Sequence, residues 1–337
     1  MQAQDVALCA TIQGSKEGPL TVTVVICSRN RPALLEKCLA AVARLDPAPD
    51  EVLVIDNSEG DKQTERAARQ YSARYVIEPV PGLSRARNRG IAECNTEYVA
   101  FLDDDAVPAP RWLGNLLTPF ADQTVAASTG RVVLPGADPE RQPTETPRKL
   151  TNREERWFER ATFGGMGIGC NMALRRSACA GWTVFDERLG RGAPLHIGEE
   201  TYAFAGLLSR GFAAIYLPDA VVFHPTHKRY AIELEACNSF AYWLLLFAAF
   251  PGQRMNLLRF IIRRIRGKPL QWPRETQEAG EIVSSGPRVL FKAGLRGAWL
   301  FLRTPKDWNL RAGRTATADA PRRPDQEYVS RLTTRSQ

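Results

Sequence analysis

Residues 97–108, EYVAFLDDDAVP, join a short apolar run directly to three consecutive carboxylates. The apolar part has the composition of a buried strand, and Asp103, Asp104 and Asp105 follow it at once. Neighbouring carboxylates repel one another, so three of them against a buried strand require a compensating positive group. The alternative interpretation is a solvated loop in which one Asp caps the next helix.

This stretch belongs to a regular alternation of strand and helix signals. β-Branched or apolar runs typical of buried strands occur at 21–27, 51–55, 74–78 and 97–102. Helical signals separate them at 32–45, 62–73 and 82–94. Buried strands that alternate with helices predict an α/β fold, with a Rossmann-like, mostly parallel sheet flanked by helices.

The alternation breaks after Pro135. A polar, proline-rich stretch at 135–155 predicts a loop, a helix is expected at 199–210, and two closing strands are expected at 213–218 and 220–224. Helical patterns resume from 230 to 266. The predicted organisation is an N-terminal tail (1–20), a catalytic domain (21–227), a basic helical extension (228–314) and a disordered tail (315–337).

Composition narrows the class of protein. Apolar residues make up 44% of the 337 residues, which is enough for an ordinary core. The seven cysteines form no CxxC pair, which argues against a disulfide framework or a structural zinc site and favours a reduced, cytoplasmic setting. We find no secretory signal pattern at the start, and the apolar run 240–250 is too short to span a bilayer.

The positive charge is concentrated in the last third of the chain. Residues 228–337 carry 20 Lys and Arg against 9 Asp and Glu, whereas residues 1–227 carry 25 against 28. In the segment 257–268 an apolar helical stripe is expected opposite a basic one. The stripes comprise Leu257, Leu258, Ile261, Ile262 and Ile265, and Arg259, Arg263, Arg264 and Arg266. This pattern favours an anionic membrane surface as partner; a helix packed on the catalytic domain, or a dimer interface, is the alternative. Nucleic acid is less favoured, because these arginines alternate with aliphatic rather than stacking aromatic residues.

Acidic side chains follow two of the predicted strands at their carboxyl ends, where open parallel sheets bind ligands. Asp56 follows the run VLVI, and Asp103–Asp105 follow YVAFL. Converging carboxylates suit a hard divalent cation, Mg²⁺ or Mn²⁺, that also carries a diphosphate. The stretch GLSRARNRG adds Arg85, Arg87 and Arg89 at a helix start, where they do not share a face. One of the three is therefore expected to point toward the phosphates.

Seven pieces of the sequence, in this order, resemble a family 2 glycosyltransferase of the GT-A fold. They are VVICSRNRP (24–32), VLVIDNS (52–58), GLSRARNRGI (82–91), EYVAFLDDDAVP (97–108), GCNMALRR (169–176), FDERLG (185–190) and GEETYAFAGLLSRGF (198–212). The resemblance covers roughly residues 21–225. It implies a metal-dependent, inverting enzyme that uses a UDP- or GDP-sugar donor, with a glycan or lipid-linked acceptor. From the basic last third we expect such an enzyme to be held at the inner face of the cell membrane.

The resemblance also implies roles for individual residues. Nucleotide-sugar binding is implied for Cys27, Arg29, Asp56, Arg87, Asp103, Asp104 and Asn171. Asp56 would contact the nucleobase, Arg87 the base or diphosphate, and Asp103 the ribose. Metal binding is implied for Asp105, Asp103 and His224. Read by residue type alone, Cys27 is instead a small core residue.

The acidic pair Glu199–Glu200 stands where the family usually has Glu-Asp, and Glu200 takes the Asp position with one more methylene. A second departure is Ser28-Arg29, in place of the usual Thr-Tyr. An inverting transfer needs a carboxylate to take the acceptor proton, and Glu200 is the predicted base, with Glu199 as its neighbour. As residue types, both would also be favoured by the dipole of a helix start.

Two other functional classes remain open on the sequence. A nucleotidyltransferase would use the same carboxylates and metal. Such an enzyme also needs a glycine-rich basic loop after the first strand, and the stretch CSRNRP at that position matches such a loop poorly. A non-catalytic membrane-binding protein on a degenerate enzyme fold would explain the basic last third. It would not explain the intact DDD and GEE clusters.

Overall fold

The structure is a computed structural model that describes residues 20–139, 145–163, 165–225, 232–265 and 287–304. The two predicted tails therefore lie outside the described residues, apart from Leu20.

Nine strands within these ranges form a single sheet in the order β3-β2-β1-β4-β8-β6-β9-β5, with β7 paired to β9. Their bounds are β1 Val22–Ser28, β2 Glu51–Asp56, β3 Arg74–Ile77, β4 Tyr98–Asp103, β5 Val107–Pro108, β6 Val125–Val133, β7 Arg148–Leu150, β8 Asn171–Arg175 and β9 Ala213–Phe223. The four strands β3, β2, β1 and β4 run parallel, as predicted. Strand β8 runs antiparallel to both β4 and β6, while β6 and β9 are parallel.

Helices cover both faces of the sheet. Their bounds are α1 Pro32–Val42, α2 Lys62–Gln70, α3 Leu83–Glu93, α4 Trp112–Leu117, α5 Trp157–Thr162, α6 Glu199–Ser209, α7 Ile232–Ala249, α8 Arg254–Ile265 and α9 Pro287–Arg303. Alternate side chains of β1 enter two different cores: Val24 and Ile26 pack with α1 and α4, while Val25 packs on the opposite side with α3. The α/β class predicted from the alternation is confirmed.

Two local predictions were wrong. The closing strands expected at 213–218 and 220–224 are one continuous strand, β9, which pairs with β6 through a register irregularity between Gly130 and Val132. The irregularity absorbs the residues that the sequence pattern suggested as a break. The loop expected at 135–155 contains a strand, β7, because β9 presents an edge to which Arg148–Leu150 can pair.

The described parts of the predicted basic extension are mostly helical, and α7 and α8 pack on the sheet domain. Helix α7 contributes Tyr242, Leu245 and Leu246 to the core that also holds α5 and α6, and α8 contributes Leu257 and Phe260. The ring of Phe260 stacks on Phe163 with ring centroids 3.9 Å apart. Within the part of the chain that the structure describes, no helix is long and apolar enough to cross a bilayer.

The orientation of α8 corrects the predicted pair of stripes. Arg263 turns toward the sheet domain and forms an ion pair with the buried carboxylate of Glu159. Leu258 and Ile262, two members of the apolar stripe, are 43% and 38% exposed, while Leu257 is buried. Arg263 joins Arg156 as a second ionic partner of Glu159, so one arginine of the basic stripe lies on the inward side of the helix. The side chains of Arg264 and Ile265, and all of Arg266, lie outside the described residues.

Adjacent leucines on α7 test whether this helix is part of the cooperative core. Leu245 is fully buried and Leu244 is 37% exposed. We expect Leu245→Ala to lower the free energy of unfolding by about 2–5 kcal/mol, since it removes buried methylenes and leaves a cavity. The matched Leu244→Ala should stay within about 0.5 kcal/mol of the parent protein. Urea unfolding measures both, and equal small effects would show that α7 is not integral to the core.

Candidate active site

Three parallel strands end together at one edge of the sheet. In their register Ser28 lies beside Asp56, and Cys27 lies beside Asp103, so the side chains that follow β1, β2 and β4 converge. A cleft of about 180 Å³ opens there. Its lining comprises Cys27, Ser28, Arg29, Arg31, Asn57, Gly82, Leu83, Ala86, Asp103, Asp105, Arg191 and Gly192.

Asp104, the central carboxylate of the triplet, points into the protein. Its side chain is fully buried, accepts a hydrogen bond of 2.7 Å from Ser28 Oγ, and lies 2.5 Å from Arg31 Nη2. Burial raises the pKa of Asp104 to about 6, although Arg31 and the Ser28 hydroxyl favour the ionised form. Asp104 therefore fixes the loop after β4 and is not among the cleft-lining residues.

Asp105 has two basic neighbours. Arg31 Nη1 donates to Asp105 Oδ2 at 3.1 Å, and His224 Nε2 lies 3.0 Å from Asp105 Oδ1. Burial alone would lower the pKa of His224, but the hydrogen bond to Asp105 and the charge of Asp103 outweigh it and raise that pKa. The sequence analysis did not select Arg31 as a site residue. The signal that could have identified it is its position one residue before Pro32, the proline that starts α1.

Asp103 is linked to the acidic helix start by Arg87. The guanidinium is almost completely buried and donates to Glu199 Oε1 at 3.1 Å and to Asp103 Oδ1 at 3.4 Å. Burial alone would lower the pKa of Arg87, yet the two carboxylates outweigh it and raise that pKa. Gly169 makes room, because a Cβ there would lie 2.9 Å from the guanidinium nitrogens.

The other two arginines of the same helix face outward. Arg85 pairs with Glu187 at 2.6 Å, and Arg89 pairs with Glu93 one turn further along α3. Of the three arginines only Arg87 points into the site, as their spacing on a helix start predicted.

Glu199 and Glu200 form the first turn of α6, directly after Gly198, whose φ is +86°. Glu199 is buried beside Arg87, while Glu200 is half-buried next to it. Burial and the neighbouring Glu199 carboxylate raise the pKa of Glu200 well above that of an ordinary carboxyl, although Arg87 opposes the shift. The turn rests on Tyr242 of α7, which would lie 2.6 Å from a Cβ at Gly198.

The potential metal-ligand atoms beside the cleft fit a divalent cation. Asp103, Cys170 and His224 each place one potential ligand atom within 4.8 Å of the other two. Asp105 adjoins the same histidine. The structure thus brings together Asp103 and His224, two of the residues for which metal binding was implied. Cys170 lies with them, although the sequence analysis did not select it as a metal ligand.

Asp56 and Asn171 have their side chains engaged within the protein. The buried Asp56 carboxylate accepts hydrogen bonds from Ser58 Oγ, the Asp61 amide and Tyr75 Oη. The side chain of Asn171 accepts from Trp112 Nε1 and donates to two main-chain carbonyls, those of Arg131 and Ala220. Neither residue lines the cleft.

Asn57, which the sequence analysis did not select, shapes the cleft instead. Its amide group donates to the carbonyls of Glu78 and Val80, and its oxygen accepts from the Gly82 amide at 2.7 Å. These bonds tie the end of β2 to the start of α3. Cys27 and Arg29 line the cleft as well, and Arg29 is exposed.

Comparison with known proteins agrees with this architecture. The sequence model of Glycosyl transferase family 2 matches residues 23–182. A "Pre-mycofactocin glycosyltransferase" of Mycobacterium tuberculosis is 30% identical over 212 residues, which are 60% of this chain and 42% of that protein. An "N-acetylglucosaminyltransferase" of Sinorhizobium fredii is 26% identical over 231 residues, covering 64% of this chain and 55% of the relative.

Among solved structures, the mannosyltransferase PcManGT of Pyrobaculum calidifontis, in complex with GDP-Man and Mn²⁺, aligns with a TM-score of 0.49 and 18% identity. The alignment covers 90% of this chain and 83% of that one. The chain spans about half the length of the two curated relatives, 42% and 55%. Through residues 23–182, the chain is similar to glycosyl transferase family 2.

Proposed function

We propose that the protein is a metal-dependent, inverting glycosyltransferase that moves a sugar from a UDP- or GDP-sugar to a hydroxyl of an acceptor. The observation that carries this proposal is the buried Arg87 bridge. It places a carboxylate of the DDD triplet and the acidic start of α6 within hydrogen-bond reach of one guanidinium. One carboxylate cluster suits a donor diphosphate with its cation, and the other suits proton removal from an acceptor.

On the donor side, Asp103, Asp105 and His224 are proposed to hold Mg²⁺ or Mn²⁺. When bound, the cation would neutralise charge on the departing diphosphate. Arg31 and Arg29 line the same cleft and are placed to pair with phosphate oxygens. A nucleobase contact by Asp56 stays a prediction; the buried carboxylate already accepts three hydrogen bonds from within the protein.

On the acceptor side, Glu200 is the proposed general base. The acceptor oxygen forms a bond to the anomeric carbon, the bond from that carbon to the diphosphate oxygen breaks, and the hydroxyl proton passes to the carboxylate. Arg87 pairs with Glu199, and burial together with the neighbouring Glu199 carboxylate raises the pKa of Glu200. A base with a raised pKa takes up a proton more readily than an ordinary carboxylate.

We further propose that residues 21–227 form the catalytic domain and that the helices after them hold it at the cytoplasmic membrane face, where a lipid-linked or surface glycan acceptor would be available. Support comes from large apolar side chains that α7, α8 and α9 leave exposed: Leu244, Phe247, Met255, Leu258, Ile262, Leu295, Trp299 and Leu302. Exposed basic side chains lie on α8 and α9: Arg254, Arg259, Lys292, Arg296 and Arg303. Apolar and basic side chains together suit an anionic lipid surface.

Removing the proposed base tests the function. With a panel of nucleotide sugars and Mn²⁺, we expect Glu200→Gln to lower kcat by about 10²–10⁴-fold, the usual contribution of general base catalysis. Donor binding, measured by calorimetry, should persist because the side chain keeps its shape. The matched control is Glu187→Gln, which alters an exposed carboxylate paired with Arg85.

The pH dependence gives the same test a second readout. Since the base acts when deprotonated and its pKa is raised, kcat/KM should increase with pH through a value above that of an ordinary carboxyl. Glu200→Gln should lose this rising limb. An active, pH-responsive Glu200→Gln enzyme alongside an inactive Glu199→Gln enzyme would assign the base to Glu199 instead.

The Arg87 bridge predicts a large loss of stability on truncation. Arg87→Met leaves the buried Glu199 and the partly buried Asp103 without this partner, so we expect a loss of roughly 3–5 kcal/mol in the free energy of unfolding. The control Arg89→Met removes a partly exposed pair on the same helix, which should cost less than about 1 kcal/mol. Chemical unfolding of both variants is the measurement, and similar small losses would contradict the bridging role.

Membrane association is tested by co-sedimentation with vesicles. Binding should require anionic lipid and weaken as salt is raised, since basic residues near a charged surface contribute through screened attraction. We expect Leu302→Asp to reduce binding severalfold and Leu34→Asp, a change at an exposed leucine of α1, to have no effect. Equal partitioning to neutral and anionic vesicles, or to neither, would exclude an electrostatic membrane contact.

A further inference from the structure

A cysteine thiol stands among the cation-binding side chains, and it is placed there by strand pairing. Strand β8 runs antiparallel to β4 with Asn171 opposite Leu102, so the preceding residue, Cys170, comes beside Asp103. His224 follows the last residue of β9, and its amide donates to the Val133 carbonyl at 2.9 Å. Three strand ends, distant in sequence, thus deliver a carboxylate, a thiol and an imidazole to one point.

The chemistry of this set differs from that of an all-oxygen site. Mg²⁺ prefers carboxylate, carbonyl and water oxygens in octahedral geometry, whereas thiolate and imidazole ligands suit softer first-row cations. Donor atoms that lie within 4.8 Å of one another need only a small contraction to reach one ion, since metal–ligand bonds are about 2.0–2.3 Å. Cys170 and His224 are buried, and Asp103 is partly open to the cleft.

We propose that Cys170 is a metal ligand of this protein, together with Asp103 and His224, and that the site takes Co²⁺ or Zn²⁺ in preference to Mg²⁺. This inference rests on the cation site of the proposed function and names its preferred metal. On binding, the thiol gives its proton to solvent and its sulfur forms a bond to the cation.

Without a cation the thiol stays protonated. Burial and the neighbouring Asp103 raise the pKa of Cys170 far above its ordinary value, although Arg87 opposes the shift. A divalent cation reverses that balance, because it supplies positive charge next to the sulfur and binding is coupled to proton release.

Cys27 provides the matched comparison. Its thiol also lies beside Asp103 and Arg87, and it lines the cleft, yet it does not belong to the group of converging ligand atoms. A property that depends on Cys170 and not on Cys27 therefore reports coordination rather than the general presence of a thiol near the carboxylate.

The experiment is a Co²⁺ titration of the full chain followed by near-ultraviolet and visible absorption. The wild-type protein should develop a thiolate-to-cobalt charge-transfer band, Cys170→Ser should lack it, and Cys27→Ser should keep it. In competition titrations, Cys170→Ser should bind Co²⁺ more weakly than the wild-type protein, by at least about 10–100-fold, since mutation of outer-shell partners already costs that much affinity. Its affinity for Mg²⁺ should be unchanged. Cys170→Ala replaces the serine variant if that variant does not fold.

A wild-type protein that binds Co²⁺ without the band would overturn the proposal, whatever the variants do. A band that persists in Cys170→Ser would overturn it as well. The readout is independent of catalysis: Mn²⁺-dependent transfer without a thiolate band would sink this inference and leave the function standing. Conversely, a thiolate-to-cobalt band in a protein that transfers no sugar would support Cys170 as a metal ligand and contradict the proposed function.

Discussion

The structure depends on one buried, positively charged side chain, that of Arg87. Arg87 lies almost fully out of water, between Asp103 at the end of β4 and Glu199 at the start of α6. An isolated guanidinium at that depth would be strongly unfavourable, and so would the buried Glu199 carboxylate without it. The three groups therefore stabilise one another only when β4, α3 and α6 are all in place. The geometry of the cleft is thus tied to completion of the fold.

Much of this arrangement is readable from sequence, because it is local. The runs before Asp56 and Asp103 predict buried strands, and parallel neighbours bring their ends together. The spacing of Arg85, Arg87 and Arg89 on a helix predicts that they diverge, and only Arg87 faces inward. Such inferences need only the period of a helix or strand and the direction of the chain.

The remainder depends on pairings that no local pattern encodes. Cys170 reaches Asp103 through the antiparallel register of β8, and Arg31 reaches Asp104 and Asp105 from the turn that follows β1. The orientation of α8 involves contacts that are distant in sequence, the stacking of Phe260 on Phe163 and the ion pair between Arg263 and Glu159. In that helix the amphipathic pattern predicted which residues form a helix, but it did not predict which face turns inward.

The contact between α7 and Gly198 has a consequence for how such proteins can diversify. The ring of Tyr242 fills the space that any side chain at Gly198 would need, and its hydroxyl lies 2.7 Å from Thr201 Oγ1 on the first turn of α6. The acidic turn and the helix packed on it both lie beyond residue 182, where the match to the family model ends. A chimera joined at that point would keep the turn and its supporting helix together, whereas one joined between α6 and α7 would separate Gly198 from the ring that packs against it.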